Sequence, residues 1–271
     1  MGDSLRDPFT ADSRQSRQVA RQRAITEAVM AEGAVRIEQL AERFGTSIMT
    51  VHRDLDELES RGLLRKSRGV ATALSTSFVE SSDVYRSSRQ IAEKESLALA
   101  AMEFIEPGHA IFLDDSTTVL QMAKHLPSKT PLTVITNVLT VMNALAGVRG
   151  ISLLGIGGEY YNWCSAFMGR MTNEAIAKLR ADTFIMSTSA ITDGQCFHPT
   201  QETVMVKRAM FESASRRILY VDHSKFERRA LHALGRLDEF DVLVVDDQLS
   251  DDLRRDLERL DVELLLATPP A

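Results

Sequence analysis

Cysteine is scarce in this chain. Cys164 and Cys196 are the two among 271 residues, too few and too far apart for a disulfide framework or a zinc site, so each reads as a small apolar side chain in a reducing cytoplasm. Long apolar runs are also missing. No stretch approaches the ~18 to 20 residues of a membrane-spanning helix, and the N-terminus has no signal-peptide core, so we expect a cytoplasmic protein with no membrane role. The six histidines, His52, His109, His125, His198, His223 and His232, never fall at metal-ligand spacing, so no metal and no cofactor is expected. Internal repeats and low-complexity tracts are absent. So is any strong basic excess: the net charge is −6, and residues 1 to 75 carry 12 Lys and Arg against 11 Asp and Glu.

What is present is a patterned segment from Ile37 to Ala71, IEQLAERFGTSIMTVHRDLDELESRGLLRKSRGVA. Ile37, Leu40, Ala41 and Phe44 fall at i, i+3, i+4 and i+7, one face of a helix. Gly45, Thr46 and Ser47 break the pattern. A second helix follows with Ile48, Val51, Leu55 and Leu58 read as inward, Ser47 placed to cap its first turn and Gly62 to end it. This is a helix-turn-helix. Its outer face presents Met49, Thr50 and Arg53 with His52 at the flank, residues of the kind that reach base edges in a major groove, where an Arg fork pairs with both acceptors of a guanine. The run LLRKSRGVATAL turns at Ser67 to Gly69 and reads as a two-stranded wing carrying Arg61, Arg65, Lys66 and Arg68 toward phosphates. A near-neutral head binds DNA by local placement of charge, so two or more heads are expected to act together in a homodimer or homotetramer.

Residues 1 to 16 read as a mobile arm, and Arg17 to Glu32 as a first helix with Ile25, Ala28 and Val29 inward. The expected division is a DNA-binding domain at 17–75, a Ser-rich linker at 76–90 and a body at 91–271. In the body, short continuous apolar runs at 110–114, 132–136, 151–155, 182–188, 217–222, 241–246 and 262–267 alternate with helical patterns at 117–126, 138–146, 173–180, 202–214 and 250–260. That is an α/β fold with a mostly parallel sheet buried on both faces.

Ligands of such sheets bind outside the carboxyl ends of the strands. There the chain places Asp114, Asp115, Ser116, Thr117 and Thr118 after the first strand, Thr136 and Asn137 after the second, and Gly157, Gly158 and Glu159 after the third. Asp222 and Lys225 follow a later strand, and Lys207 and Glu202 lie on one helix. Hydroxyls, two lysines and carboxylates suit a phosphorylated polyol. Read singly, Ser116 to Thr118 and Asn137 are equally helix caps, Gly157 and Gly158 a turn, and Lys207 a solvated charge.

The wing and helix segment QLAERFGTSIMTVHRDLDELESRGLLRKSRGVA, followed in order by IFLDDSTT, TVITN, LLGIGGE, VKRAMFESA and VDHSKF, resembles the DeoR family of bacterial transcriptional regulators. The resemblance implies a winged helix-turn-helix that binds double-stranded operator DNA, joined to a sensor domain of the ribose-phosphate isomerase and glucosamine-phosphate deaminase type. It also implies a phosphorylated sugar, polyol or sugar-acid effector and repression of a carbohydrate catabolic operon. The chain departs from the family at His52, where a second Arg is common, at Ser67, Arg68 and Gly69, where His-Gly-Gly is common, and at Ser116, where Gly is usual. It departs again at Ser187 to Ala190, where a glycine-rich motif is expected. The alternative is an active isomerase or deaminase with a DNA-binding appendage, for which Asp114, Asp115, Glu159 and Glu202 would be the general bases.

Overall fold

A computed structural model describes residues 8–73, 83–87 and 89–268, and the chain divides into two compact units after residue 85. The first unit holds α1 (Pro8–Glu32), β1 (Ala34–Arg36), α2 (Ile37–Arg43), α3 (Ile48–Ser60), β2 (Leu64–Ser67) and β3 (Val70–Ala73). Ile25, Val29, Ile37, Leu40, Val51, Leu55, Leu58 and Leu64 form its core, all at most 1% exposed. Ser47 caps α3, its Oγ accepting from Thr50 N at 3.1 Å. Gly62 ends it at φ +67°, a left-handed position that a residue with a Cβ adopts only with strain.

Three expectations for this unit are corrected. Ile48 is 48% exposed rather than inward, because it opens α3 and lies outside the Val51, Leu55, Leu58 stripe. Helix α1 begins at Pro8, so residues 8–16 are helical rather than an arm; residues 1–7 lie outside the described residues. The wing has a third strand, since β1 pairs antiparallel with β3 and buries Val35 against Ala71. Arg68 at φ +49° and Gly69 at φ +77° give the two successive left-handed residues of a tight β-hairpin turn between β2 and β3. The expected linker at 76–90 falls partly outside the described residues, at 76–82 and 88, and residues Asp83–Ser87 form a short helix, α4.

The second unit begins with α5 (Ile91–Ala101). Its main elements then run β4 (Ala110–Leu113), α6 (Thr117–Met122), β5 (Leu132–Thr136), α7 (Leu139–Leu145), β6 (Ile151–Gly155), β7 (Glu159–Tyr161), β8 (Ala166–Met168) and α8 (Arg170–Ile176). They continue β9 (Ala181–Met186), β10 (Ala190–Thr192), β11 (Gln195–His198), α9 (Gln201–Glu212), β12 (Ala214–Val221), β13 (His232–Arg236), β14 (Val242–Asp246), α10 (Asp251–Glu258) and β15 (Glu263–Ala267). Seven strands form one parallel sheet in the order β15-β14-β12-β9-β4-β5-β6. Each of the seven apolar runs read from the sequence is one of them. Interior strand β14 is buried at all five positions, as a strand covered by helices on both faces must be, whereas edge strand β6 leaves Leu154 42% exposed.

Strand β4 sits between β5 and β9, and the chain leaves it in one direction toward β5 and β6 and returns on its other side to β9. This reversal opens a crevice at the carboxyl ends of β4 and β9. Two antiparallel additions, the β7–β8 hairpin and the three-stranded β10-β11-β13 sheet, border the same end. Both free cysteines are buried, and no described helix is long and apolar enough to cross a membrane.

Candidate functional site

In the first unit, the face that α3 turns to solvent carries Met49, 64% exposed, and Arg53 one turn later. Thr50 is partly occupied, its Oγ1 lying 2.8 Å from Ser47 Oγ within the cap, and His52 is half-buried. The wing cations separate into two groups. Arg65 and Arg68 are exposed and, among the described residues, have no carboxylate partner. Lys66 is paired with Asp56 and Arg61 with Glu57 at 2.8 Å, so these two are less available to a phosphate than the sequence suggested. The difference follows from strand alternation: Lys66 shares the inward face of β2 with buried Leu64, and Arg65 points the other way. Beneath the face, Asp54 is 1% exposed and accepts from Arg21 Nε at 2.5 Å, Arg21 Nη2 at 3.2 Å and Gln22 Nε2 at 3.3 Å, which binds α1 to α3.

In the second unit, the crevice between β4 and β9 is built around Lys207 of α9, 2% exposed. Its ammonium pairs with Asp114 Oδ2, with Asp115 Oδ1 at 3.0 Å and with the Ser187 carbonyl at 3.1 Å, which uses all three donors. Asp114 also accepts from the backbone N–H of Ser116 at 2.9 Å and of Ser187 at 3.1 Å, tying the loop after β4 to the loop after β9. Burial alone would raise the Asp115 carboxyl, but Lys207, with Arg86 behind it, outweighs burial and holds it below the usual carboxylate range. Burial likewise opposes the Lys207 charge, and Asp114 and Asp115 outweigh it, raising Lys207 above the ordinary lysine value. Lys207 is thus neither a solvated charge nor a free cation. It is the strut on which the two loops are fixed.

Around this strut lies a narrow cavity of about 10 Å³, lined by Arg86, Ser116, Thr117, Thr118, Ser187, Thr188, Ser189, His198, Lys207 and Lys225. Ser116 Oγ caps α6 by accepting from Val119 N at 3.2 Å. Arg86, 9% exposed, donates to the Asp115 carbonyl at 3.3 Å and lies 3.9 Å from its carboxylate. Lys225 lies 3.8 Å from Asp222, whose carboxylate also caps the turn through Ser224 N at 3.2 Å. Burial would raise Asp222, but Lys225 and the Ser224 hydroxyl hold it low. Lys94 of α5 is 3% exposed and donates to the carbonyls of Arg86 and, at 2.8 Å, Arg89, clasping the segment that carries Arg86. Burial and then the nearby Lys225 charge push Lys94 down to about 7.

The remaining expected residues lie elsewhere or are committed. Thr136 is fully buried, its hydroxyl donating to the Leu113 carbonyl at 2.9 Å and accepting from Val138 N at 3.2 Å, which leaves it no free hydrogen for a ligand. Asn137 donates to the Phe167 carbonyl at 2.7 Å, while its Oδ1 is buried without a hydrogen-bond partner among the described residues. The close approach at Gly158 is to protein: a Cβ there would stand 2.0 Å from Thr172 Oγ1 and 2.6 Å from the Met168 carbonyl. Gly157 and Glu159 are exposed at the edge-strand end, and Glu202 is exposed on the first turn of α9; none of the three lines the cavity.

Sequence reasoning did not single out Arg86, Lys94, Ser187, Thr188, Ser189 or His198 as site residues. The polar run Ser187 to Ser189 ending an apolar strand was a usable signal. Arg86 sat in a segment read as linker, and nothing local marks Lys94 or His198. Among the described residues no group of three or more His, Cys, Asp and Glu is arranged to hold a metal ion.

Comparison with known proteins matches both units. The family described as DeoR-like helix-turn-helix domain covers residues 21–77, and that described as DeoR C terminal sensor domain covers residues 89–247. A putative aga operon transcriptional repressor of Escherichia coli is 30% identical over 250 residues, 91% of this chain and 93% of its own. The glycerol-3-phosphate regulon repressor of Escherichia coli is 33% identical over 231 residues, 85% and 91% of the two chains. The lactose phosphotransferase system repressor of Staphylococcus aureus is 32% identical over 225 residues, 82% and 89%. Among solved structures, ribose 5-phosphate isomerase A of Neisseria gonorrhoeae overlaps 49% of this chain and 52% of its own, at 14% identity and a TM-score of 0.36.

Proposed function

Because the chain belongs to the DeoR family of helix-turn-helix regulators, we propose that it represses a carbohydrate catabolic operon and releases its operator when a phosphorylated small molecule occupies the crevice between β4 and β9. The observation that carries this reading is the buried crevice itself. Arg86 and Lys225 line it together with the hydroxyls of Ser116, Thr117 and Thr118, a combination that neutralises and hydrogen-bonds a phosphate, and Lys94 holds the Arg86 segment from behind. Its cavity of about 10 Å³ holds at most a water molecule. A phosphorylated sugar therefore enters only as the lining parts, and a ligand that must rearrange its site has the differential affinity that shifts a population. A coupling of ~1 to 3 kcal/mol weakens operator binding roughly 5- to 150-fold.

Regulation is favoured over catalysis by the same geometry. A general base works best with a pKa near the operating pH, whereas Asp115 is held low and Asp114 is spent on Lys207 and two backbone donors. Glu159 and Glu202 are exposed and outside the cavity. Purified protein that turns over a sugar phosphate, with turnover abolished by Asp115→Asn, would reverse this choice. The expected result is no turnover, a thermal shift with one class of phosphate ester and reduced operator affinity in its presence. Lys225→Ala should remove that response and leave operator binding without effector intact; a response that survives places the phosphate elsewhere.

On the DNA side, Arg53 is the base reader and Arg65 and Arg68 are the phosphate contacts, with Met49, Thr50, His52 and Ser47 beside them and Lys66 in a lesser role. Arg53→Ala should cost about 1–3 kcal/mol per head on the specific site and little on random DNA. Arg65→Ala should weaken binding to every sequence alike and reduce the salt slope by about one. Equal loss on specific and random DNA for Arg53→Ala removes it as a reader. Two heads on a two-fold operator would double these costs, and sedimentation with and without operator tests for the dimer or tetramer.

Lys94 gives the response a pH dependence. Its ammonium is depressed to about 7 in the folded chain, so above that pH it is largely neutral. A phosphate arriving nearby favours the charged form, so binding takes up a proton and weakens as pH rises from 7 to 8.5. Calorimetry in buffers of different ionisation enthalpy reads the uptake directly. Lys94→Met should abolish it, and uptake that persists in the variant belongs to another group.

A further inference from the structure

The crevice leaves three of its own polar atoms unanswered. Asp115 Oδ2, Ser187 Oγ and His198 Nε2 are buried and have no hydrogen-bond partner among the described residues, in side chains whose residues are 5%, 3% and 1% exposed. Leaving such an atom unmade costs about 1–3 kcal/mol, so three in one place call for an explanation. They belong to one cluster. Asp115 and Ser187 are bridged by Lys207, which reaches Asp115 Oδ1 at 3.0 Å and the Ser187 carbonyl at 3.1 Å. His198 lines the cavity beside Ser187 and Lys207 and feels the Asp115 charge.

The chemistry of the three atoms is complementary. Asp115 is ionised, so Oδ2 only accepts, and Arg86 Nη2 at 3.9 Å is too far to hydrogen-bond it. His198 Nδ1 accepts from Thr200 N at 3.3 Å, which assigns the ring proton to Nε2 as a donor. Burial keeps that ring neutral, lowering it to about 3. Ser187 Oγ serves either way. An alcohol on a ligand carbon donates to Asp115 and accepts from His198 or Ser187. A carboxylate has no proton to give Asp115 and would face a buried anion.

We propose that Asp115, Ser187 and His198 form a hydroxyl-reading trio that selects phosphorylated neutral sugars or polyols as effectors and rejects phosphorylated sugar acids that place a carboxylate at the same point. This rests on the crevice being the phosphate-ester site. Two pairs of probes of matched configuration differ only by a terminal alcohol against a carboxylate: D-glycerol 3-phosphate against 3-phospho-D-glycerate, and glucitol 6-phosphate against 6-phosphogluconate. Calorimetric titration of the full chain should show, in whichever pair has the fitting length, the alcohol binding about tenfold to a hundredfold more tightly than the acid. Asp115→Asn should shrink that ratio to about threefold or less. Ser187→Ala removes an atom with no partner in the fold and so keeps the fold; it should weaken the alcohol more than the acid, which keeps the idea testable if Asp115→Asn does not fold.

An acid that binds as tightly as its alcohol, or a ratio unchanged in both variants, overturns the trio while leaving the phosphate site in place. Failure of all four esters and of inorganic phosphate to bind, or binding that Lys225→Ala does not weaken, overturns the site reading and the trio with it.

Discussion

Lys207→Met should lower the stability of the second unit by about 3–5 kcal/mol, because it leaves Asp114 and Asp115, each at most 5% exposed, without the ammonium that pairs them. For a unit of this size that is a fall of about 10 °C or more in Tm. The loss should depend on pH with a definite sign. Asp115 is depressed in the folded chain, so its contribution is present above its unfolded value and is lost as pH falls through and below the ordinary carboxylate range. In Lys207→Met burial is left to act on the Asp115 carboxyl, which then resists ionisation, and folding is helped by its protonation. The gap between wild type and variant should therefore be widest near pH 7 and narrow toward pH 4.5. Adding Asp115→Asn to Lys207→Met should recover part of the loss, since a neutral amide no longer needs a counter-charge. Melts at the two pH values decide it. A deficit below about 1 kcal/mol at pH 7 would mean that water reaches the carboxylates and that Lys207 is not a strut.

Asp54→Ala should destabilise the first unit by about 3 kcal/mol. Its carboxylate is 1% exposed and takes two hydrogen bonds from Arg21 and one from Gln22. Removal leaves the guanidinium without its partner, but the Arg21 side chain is 24% exposed and recovers some hydration, which keeps the cost at the low end of the range for breaking a buried pair. Exposed Asp56, paired with Lys66 near the surface, should cost under about 1 kcal/mol when changed to Ala. The single tryptophan, Trp163, lies in the second unit, so its fluorescence should hardly respond to Asp54→Ala. Far-ultraviolet circular dichroism should show an early transition as α1, α2 and α3 melt. Operator binding should fall while any effector-induced stabilisation of the second unit persists. Fluorescence and circular dichroism that shift together would mean that the two units unfold as one.

The parallel sheet was legible because burial on both faces leaves an unbroken apolar run, as in DVLVVD and RILYVD, bounded by turn residues. The helix-turn-helix was legible for the matching reason, a 3.6-residue stripe with a Ser cap and a Gly stop. Strands β1, β7, β8, β10, β11 and β13 were not. They are three to five residues long and mixed in composition, too short for alternation to stand out, and their pairing partners supply what their own propensity lacks. Boundaries suffered in the same way: Ile48 falls on the right helix but on its exposed side.

Of the site, the run Asp114 to Thr118 and the pair Asp222 and Lys225 could be located because each follows a strand and precedes a helical turn, where sheet geometry puts ligands. The four-loop convergence read from the sequence contracts to the loops around β4 and β9, the turn at Lys225 and the strut from α9. Thr136 and Gly158 proved to be packing positions, and Glu159 and Glu202 surface residues.

Local periodicity, caps and strand-end chemistry, all carried by residues within a few positions of one another, determined from the sequence alone that this chain pairs a DNA-reading head with a parallel α/β body. Which charges are free was decided only by the tertiary structure. Lys207 meets Asp114 across 93 residues, Arg86 meets Asp115 across 29, and His198 reaches the same cavity from an antiparallel addition. Burial and ion pairing depend on what the fold brings together in space, and no spacing along the chain records that.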